Sequence, residues 1–332
     1  MALPEGLPVA DIHTVDFYGL INDDQLESEK LLNASKEDGF FYLSFNAVEH
    51  DGTMELIEKM YQLNKDLFSL PLGSKMEFDV DKLYKPIGRN FGELQGKKDG
   101  FETWVLPKNG IMGLGGQKDF SRPPVIDRYM PTLQQFGHFV QTCSRAVMDS
   151  LSKSLGLPES ENFMTYHRPM APSSDITRLL KYEAQPIEER NTVHTAHTDI
   201  GSLTFLFTAQ PGLQIYNPET DAWYWVQPKD GCVIVNLGDG MTHLTNGYLR
   251  SSLHRVGPLP GKAMPTRYSF AYMLRAEDET PMTGLKSPLF PPKDCTDQQV
   301  YTSAEWLRQK YGVLRLDGRP EDNEWMMAGQ KR

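Results

Sequence analysis

Four of the eight histidines lie between His194 and His254, and the tightest motif among them is His197-Thr198-Asp199. Residues two apart on an extended segment project to the same side, so an imidazole and a carboxylate there can meet on one ion. A third ligand has to arrive from another strand. His254, in Ser252-Leu253-His254-Arg255-Val256, lies far enough downstream for the chain to cross several strands and return. Two His and one carboxylate on one side of a metal leave the other side open, an arrangement suited to non-haem Fe(II) and O2. His194, three residues before His197, is expected to face the other way on a strand, and His243 to sit in a turn between Asp239 and Asn246. Both read as structural or as supports for the ligands. H-x-D alone is common by chance, and a strand histidine is usually a hydrogen-bonded structural residue, so the pattern needs support.

Support comes from Arg267-Tyr268-Ser269, where Arg267 and Ser269 share a strand face. A guanidinium donates two parallel hydrogen bonds to a carboxylate, and a neighbouring hydroxyl can add a third. No acidic residue adjoins Arg267 in sequence, so a substrate carboxylate would serve as its partner if it is buried. The competing reading is an internal salt bridge or a surface arginine.

Such residues need strands to hold them. After Thr177 short β-rich runs appear: RLLKYEA, SLTFLFT, GLQIYN, AWYWVQP, CVIVNLG, SSLHRVG and RYSFAYML. In SLTFLFT, Leu203, Phe205 and Phe207 alternate with Thr204, Leu206 and Thr208, a period of two. Pro211-Gly212, Asn217-Pro218, Asp230-Gly231, Asn246-Gly247 and Pro260-Gly261 separate the runs as turns. Many short strands at this spacing predict a double-sheet jelly roll or a barrel. The first half reads as mixed α/β with long helices: one from Ile57, closed by Pro71, and a longer one after Pro131. The longer one carries Leu133, Phe136, Val140, Cys143, Val147, Leu151 and Leu155 on one face and stops at Gly156 and Pro158. A further helix is expected over Ser303–Tyr311. No linker separates two cores. The chain reads as one structural unit: an N-terminal supporting region (1–170), a jelly-roll core (171–280), and a C-terminal helix and tail (281–332).

Composition narrows the function classes. Hydrophobic residues are 39% and charged residues 23%, a globular mixture that excludes a disordered chain or a disulfide scaffold. The net charge of −10, with no basic block, disfavours nucleic acid and anionic membrane as partners. Cys143, Cys232 and Cys295 are widely spaced and predict a reduced, cytoplasmic protein without a structural disulfide. No secretory signal is visible at the start, and no stretch is apolar enough to span a membrane. A monomer is expected.

From Tyr182 to Leu274 the sequence resembles the isopenicillin N synthase-like branch of the Fe(II)/2-oxoglutarate-dependent dioxygenases. The resemblance rests on HTDIGSLTFLF, GLQIYN, VIVNLGDGMTHLTNGYLRSSLHRV and RYSFAYML. Weaker features lie N-terminally: Pro8-Val9, Gly39-Phe40-Phe41-Tyr42 and Leu70-Pro71. It implies an α+β fold with a double-stranded β-helix core and a helical N-terminal region around it. It implies His197, Asp199 and His254 as iron ligands, with Arg267, Ser269 and Tyr182 holding 2-oxoglutarate. Leu180 stands where the family commonly has Asn, and EAQPIEERNTVHTA lacks the Cys-Pro and Gly-Leu signature of the plant members. The activity implied is oxidation of a small organic molecule by O2, coupled to conversion of 2-oxoglutarate to succinate and CO2. Specialised metabolism is the expected setting, and ascorbate helps keep the iron as Fe(II).

For the substrate pocket, Trp104, Phe205, Tyr272 and Arg89 are the expected wall residues, with Asn90 beside Arg89, although aromatics of this kind are at least as often core. The Gly-rich stretch Lys108–Gly116 is expected as a mobile lid. Three alternatives stay open on the residues alone. One is an oxidase of the same fold that uses Arg267 for its own substrate and needs no 2-oxoglutarate. The others are a Zn²⁺ hydrolase on a jelly roll and a non-catalytic binding protein.

Overall fold

Alternation along the β-rich runs is what builds the architecture. The computed structural model describes residues 3–47, 52–78, 83–86, 93–94, 97–98, 100–116, 120–189, 194–291 and 300–314. The first half runs β1 (Thr14–Asp16), α1 (Phe17–Ile21), α2 (Gln25–Glu37), β2 (Phe40–Ser44), α3 (Thr53–Phe68), α4 (Leu72–Met76), β3 (Tyr84–Lys85), β4 (Glu93–Leu94), β5 (Lys97–Lys98), β6 (Phe101–Pro107), α5 (Lys108–Met112) and α6 (Pro124–Ser154). The second half runs β7 (Ile176–Tyr182), β8 (His194–His197), β9 (Leu203–Thr208), β10 (Leu213–Asn217), β11 (Ala222–Trp225), β12 (Cys232–Leu237), α7 (Asp239–Leu244), β13 (His254–Val256), β14 (Arg267–Leu274) and α8 (Ser303–Leu314). All the β-rich runs read from the sequence form strands.

A large sheet has the order β1-β2-β12-β9-β14-β7-β6-β3, and a smaller one the order β11-β10-β13-β8. The chain passes back and forth between them from β7 to β14, which makes the double-stranded β-helix. Four strands of the large sheet (β1, β2, β3 and β6) come from the first 107 residues, so the N-terminal region extends the sheet as well as flanking it with helices.

The two faces of the large sheet bury different things. Leu203, Phe205, Phe207, Phe270, Tyr272, Trp104 and Leu179 point outward into one core with Phe136, Val140 and Val147 of α6 and Leu63 and Leu67 of α3. Phe136 meets Phe207 and Phe270 with ring centroids 5.3 and 5.6 Å apart. The inward residues Phe40, Tyr42, Phe101, Leu180, Tyr182 and Ile234 form a second core with Leu213, Ile215 and Val256 of the small sheet. Period two thus sends one set of side chains to the helices and the alternate set, apolar residues together with the polar residues of the site, to the interior between the sheets.

Two expectations are corrected. The long helix starts at Pro124, not after Pro131, and carries Pro131 inside it. Pro124 is tolerated because a first-turn N–H has no helical partner. Pro131 forgoes a bond at a cost of about 3 kcal/mol, offset by the burial of Val125 and Ile126 in the added turns. The stretch Lys108–Gly116 is no lid. Its first part is α5, with Lys108 buried, bonded to Ser173 Oγ at 2.8 Å and 3.4 Å from Asp175 Oδ2. Gly110 lies so close to the Phe120 ring that a Cβ would stand 2.4 Å from it. Cys143 and Cys232 are free thiols; Cys295 lies outside the described residues.

Candidate metal centre and its cleft

β8 and β13 are antiparallel neighbours, and His197 pairs directly with His254. Their rings therefore stand side by side, with centroids 4.4 Å apart. Asp199, just past the end of β8, completes the set. Its Oδ1 is 3.7 Å from His197 Nε2 and 3.9 Å from His254 Nε2. The three ligand atoms lie within 4.8 Å of one another, and all three residues are buried.

Neighbouring groups aim these donors. Asn236 donates Nδ2–H to Asp199 Oδ2 at 2.9 Å, which leaves Oδ1 for the histidines' side. Burial works to raise the Asp199 carboxyl, but His254, His197 and hydrogen bonds from Asn236 and Thr204 outweigh it and hold it at about 2. His254 Nδ1 sits 3.1 Å from the Ser252 carbonyl, which can only accept, so Nε2 is the nitrogen with a free lone pair. The backbone around Asp199 is clamped by the loop after β12. Asp239 N–H donates to Asp199 O at 2.7 Å and Gly238 N–H to Ser202 O at 3.0 Å. Gly238 is required here, since a Cβ would fall 2.2 Å from Gly201 O.

Arg267 enters the same interior from β14, 3% exposed. Nη2 donates to Thr208 Oγ1 at 2.8 Å, Nη1 to Ser269 Oγ at 3.3 Å and Nε to Gln210 O at 3.4 Å. All three acceptors are neutral. The guanidinium lies over the Tyr182 ring, 4.9 Å from its centroid, and β7 and β14 pair Tyr182 directly with Arg267 and Leu180 with Ser269. Burial pushes the Tyr182 phenol above its ordinary value. A cleft of about 540 Å³ joins Arg267, Ser269, Leu180 and Tyr182 to His197, Asp199 and His254. A second cavity, lined by Pro211, Leu259 and Met264 among others, shares Val256 and Arg267 with it.

His194 departs from expectation. The β8–β13 pairing shifts between His254 and Val256, so three steps on β8 match two on β13, a β-bulge. The extra residue returns His194 to the side of His197, and their rings stack at 4.3 Å. His194 lines the cleft. Burial, then the surrounding His197, Arg178, His254 and Arg267, pushes its imidazole well below the ordinary value. His243 lies in helix α7 rather than in the expected turn, with Nε2 2.9 Å from the Met282 carbonyl.

The expected aromatic wall is also corrected. Trp104, Phe205 and Tyr272 point away from the cleft into the core beneath α3 and α6, because each falls on the outward parity of its strand. The Tyr272 hydroxyl donates to Asp175 Oδ2 at 2.9 Å. Arg89 and Asn90 lie outside the described residues. The cleft is lined instead by Phe40, Leu206, Leu213, Ala271, Met273 and Arg178. Sequence reasoning missed Asn236, Thr208 and Arg178 as site residues. Each shows in sequence only as a polar residue on the alternate parity of an apolar run.

Two buried imidazoles and one carboxylate, with one oxygen facing both rings and no thiolate among them, are a donor set that fits Fe(II). A buried guanidinium with only neutral acceptors, on the same cleft, fits a keto acid's far carboxylate. The comparisons agree. The family model described as the 2OG-Fe(II) oxygenase superfamily matches residues 173–276. The one described as the non-haem dioxygenase in morphine synthesis N-terminal matches residues 7–109. A 2-oxoglutarate-dependent dioxygenase of Gibberella zeae is 30% identical over 92% of this chain and 89% of its own. Another, from Glarea lozoyensis, is 30% identical over 90% of each chain. In fold, a full-length Neurospora crassa protein solved in complex with alpha-KG matches with a TM-score of 0.73 at 21% identity, over 94% of this chain and 100% of that one. A Caulobacter crescentus 2OG-Fe(II) oxygenase family protein matches with a TM-score of 0.75 at 23% identity, over 92% and 99%. Identity of this extent, sustained along nearly the whole chain, places the protein in the 2OG-Fe(II) oxygenase superfamily, as an Fe(II)- and 2-oxoglutarate-dependent dioxygenase.

Proposed function

We propose that His197, Asp199 and His254 bind the Fe(II), that Arg267 and Ser269 hold the far carboxylate of 2-oxoglutarate with Tyr182 hydrogen-bonding the same co-substrate, and that a small organic molecule is oxidised at a C–H bond in the cleft. Hydroxylation, desaturation and related changes all belong to this reading. The observation that carries it is the placement of Arg267, buried and among the described residues without a carboxylate partner, on the cleft that also holds the triad. Bound Fe(II) and 2-oxoglutarate supply O2 activation, driven by decarboxylation to succinate and CO2. Asn236 and Thr204 orient the Asp199 carboxylate, and the Ser252 carbonyl sets the His254 tautomer. Thr208 and Ser269 hold the guanidinium fork in place before the keto acid arrives. Phe40, Leu206, Leu213 and Val256 give the cleft dry walls, which strengthens these polar contacts and keeps water from the reacting centre.

The setting we assign is specialised metabolism, on the ground that the protein lacks the plant signature between Tyr182 and His197 and that its relatives include fungal dioxygenases. We read the chain as a cytoplasmic monomer and one structural unit, supporting region, jelly roll and C-terminal helix together. Its partner is a small molecule rather than nucleic acid or membrane. The net charge of −10 supports this, and no described helix is long and apolar enough to cross a membrane. The test is a screen of small organic compounds for substrate-dependent succinate release with Fe(II), ascorbate and O2. Succinate formation in step with product supports the reading; product without succinate, or turnover with Zn²⁺ and no O2, refutes it.

A further inference from the structure

The cleft contains a second guanidinium. Arg178 lies on the inward parity of β7 and lines the cleft with the triad. Strand pairing sets it opposite Ala271 of β14 and Val105 of β6, while Tyr182 stands opposite Arg267. Arg178 and Tyr182 are four residues apart on one strand, about 13 Å between their Cα positions. Arg178 thus belongs to the metal's end of the cleft, level with Ala271 and Leu206, and Arg267 to the far end. The small Ala271 leaves room in front of it.

Arg178 has nothing to hold. Its Nε is buried without a hydrogen-bond partner, and among the described residues no carboxylate lies within ion-pairing reach. The nearby Arg275 differs, since its Nη2 donates to Tyr311 Oη at 3.0 Å and its Nη1 to the Ser174 carbonyl. Among the described residues Asp199 is the one carboxylate lining the cleft, and it belongs to the metal set. Formal charge makes the same point. Fe(II) and two arginines bring four positive charges; Asp199 and 2-oxoglutarate bring three negative ones. A protein with a net charge of −10 therefore keeps an excess cation in its reaction cleft. Arg178 is half-buried, and its buried Nε is a donor that an arriving anion would satisfy.

We infer that Arg178 is the substrate anchor, and that the molecule oxidised carries a carboxylate. This rests on the reading that Arg267 serves 2-oxoglutarate. The carboxylate meets the Arg178 fork while the rest of the molecule lies along Leu206, Ala271 and Met273, which places its C–H bonds beside the metal's open side.

The experiment uses the Fe(II)-loaded full chain under anaerobic conditions. First, 2-oxoglutarate is titrated into the parent, Arg178→Gln and Arg178→Lys, following the metal-to-ligand absorption band. Then phenylacetate and a series of straight-chain alkanoates, each beside its primary amide, are titrated into the 2-oxoglutarate complex. Perturbation of the band and calorimetric heat are the readouts. The expected result is 2-oxoglutarate affinity within about twofold in all three proteins. Acids should bind the parent, bind Arg178→Gln at least about tenfold more weakly, and bind Arg178→Lys in between. Amides should not distinguish parent from variant. Equal acid binding to Arg178→Gln overturns the inference. So do amides that bind the parent as well as acids, acids that displace 2-oxoglutarate, or no acid bound by the loaded parent. A fall in 2-oxoglutarate affinity in Arg178→Gln, with iron content intact, also overturns it by moving Arg178 to the co-substrate. A parent that binds no 2-oxoglutarate refutes the assignment of Arg267 instead, and that result is visible before any acid is added.

Discussion

Asn236 donates its side-chain amide to Oδ2 of Asp199 at 2.9 Å, from near the end of a strand on which its neighbours, Val235 and Leu237, point into the opposite core. That bond decides which carboxylate oxygen is free to face His197 and His254. Asn236→Ala should lower Fe(II) affinity by about 10- to 100-fold, the usual loss when a ligand's supporting contact is removed. Anaerobic titration with Fe(II) or Co(II) measures it. Metal affinity equal to the parent's would show that Asp199 needs no such support.

Arg267→Ala should weaken 2-oxoglutarate binding by about 30-fold or more, since a charge-assisted, desolvated contact is lost. Arg267→Lys keeps the charge without the fork and should fall between parent and Ala. Thr208→Val removes one neutral acceptor that aims the guanidinium and should cost about 1 kcal/mol. Iron content should be normal in all three. The ordering Ala, Lys, Val, from worst to mildest, is read from the anaerobic titration.

Removing the metal tests the triad in a different way. Fe(II) or Mn(II) held only by the folded chain should raise the thermal midpoint, with the logarithm of free metal once the site is filled, and chelation should reverse that rise. His254→Ala should abolish both the metal-dependent shift and turnover. His243→Ala, whose ring is 2.9 Å from the Met282 carbonyl, should keep the shift. A metal-dependent shift that survives in His254→Ala would remove that residue from the ligand set.

Gly238→Ala places a methyl group 2.2 Å from Gly201 O and 2.8 Å from Asp199 O, both of them backbone atoms that cannot swing aside. The clash should destabilise the protein by about 1–3 kcal/mol and weaken metal binding by displacing Asp199. Gly73→Ala, on α4 where a Cβ meets nothing within 4 Å and the backbone is not left-handed, is the control for a steric effect. Equal metal affinity in the two variants would contradict the clamp.

Phe205 and Leu206 are adjacent on β9 but face opposite ways. Phe205→Ala should cost about 3–5 kcal/mol of stability, as core aromatics do, with little change in the affinity of the remaining folded protein for 2-oxoglutarate. Leu206→Ala should cost less stability and alter substrate binding instead. Denaturant unfolding beside substrate titration separates the two. A substrate defect confined to Phe205→Ala would reverse the assignment of faces.

The chemistry of the site was legible in the linear sequence because it resides in residue types at short, fixed intervals. His197 and Asp199, like Arg267 and Ser269, are two apart, and a strand puts such pairs on one face wherever it is packed. The strands after Thr177 and the body of the long helices were legible for the same reason, since the period of the apolar residues sets them, whereas the short strands of the first 107 residues carry too few positions to show a period. What periodicity does not contain is which face of a strand meets helices and which meets a cleft. Leu203-Phe205-Phe207 and Thr204-Leu206-Thr208 alternate cleanly, and only the covering of the large sheet by α3 and α6 sends the aromatic set outward. That covering moved Trp104, Phe205 and Tyr272 from the expected pocket wall to the core. The bulge in β8 likewise exists only against β13, and it alone turns His194 toward His197. Asn236 and Arg178 were single polar letters in apolar runs until strands distant in sequence were paired. Local spacing determines what a short segment can do. Tertiary packing decides what it faces, because a side chain's environment is set by elements the segment does not encode.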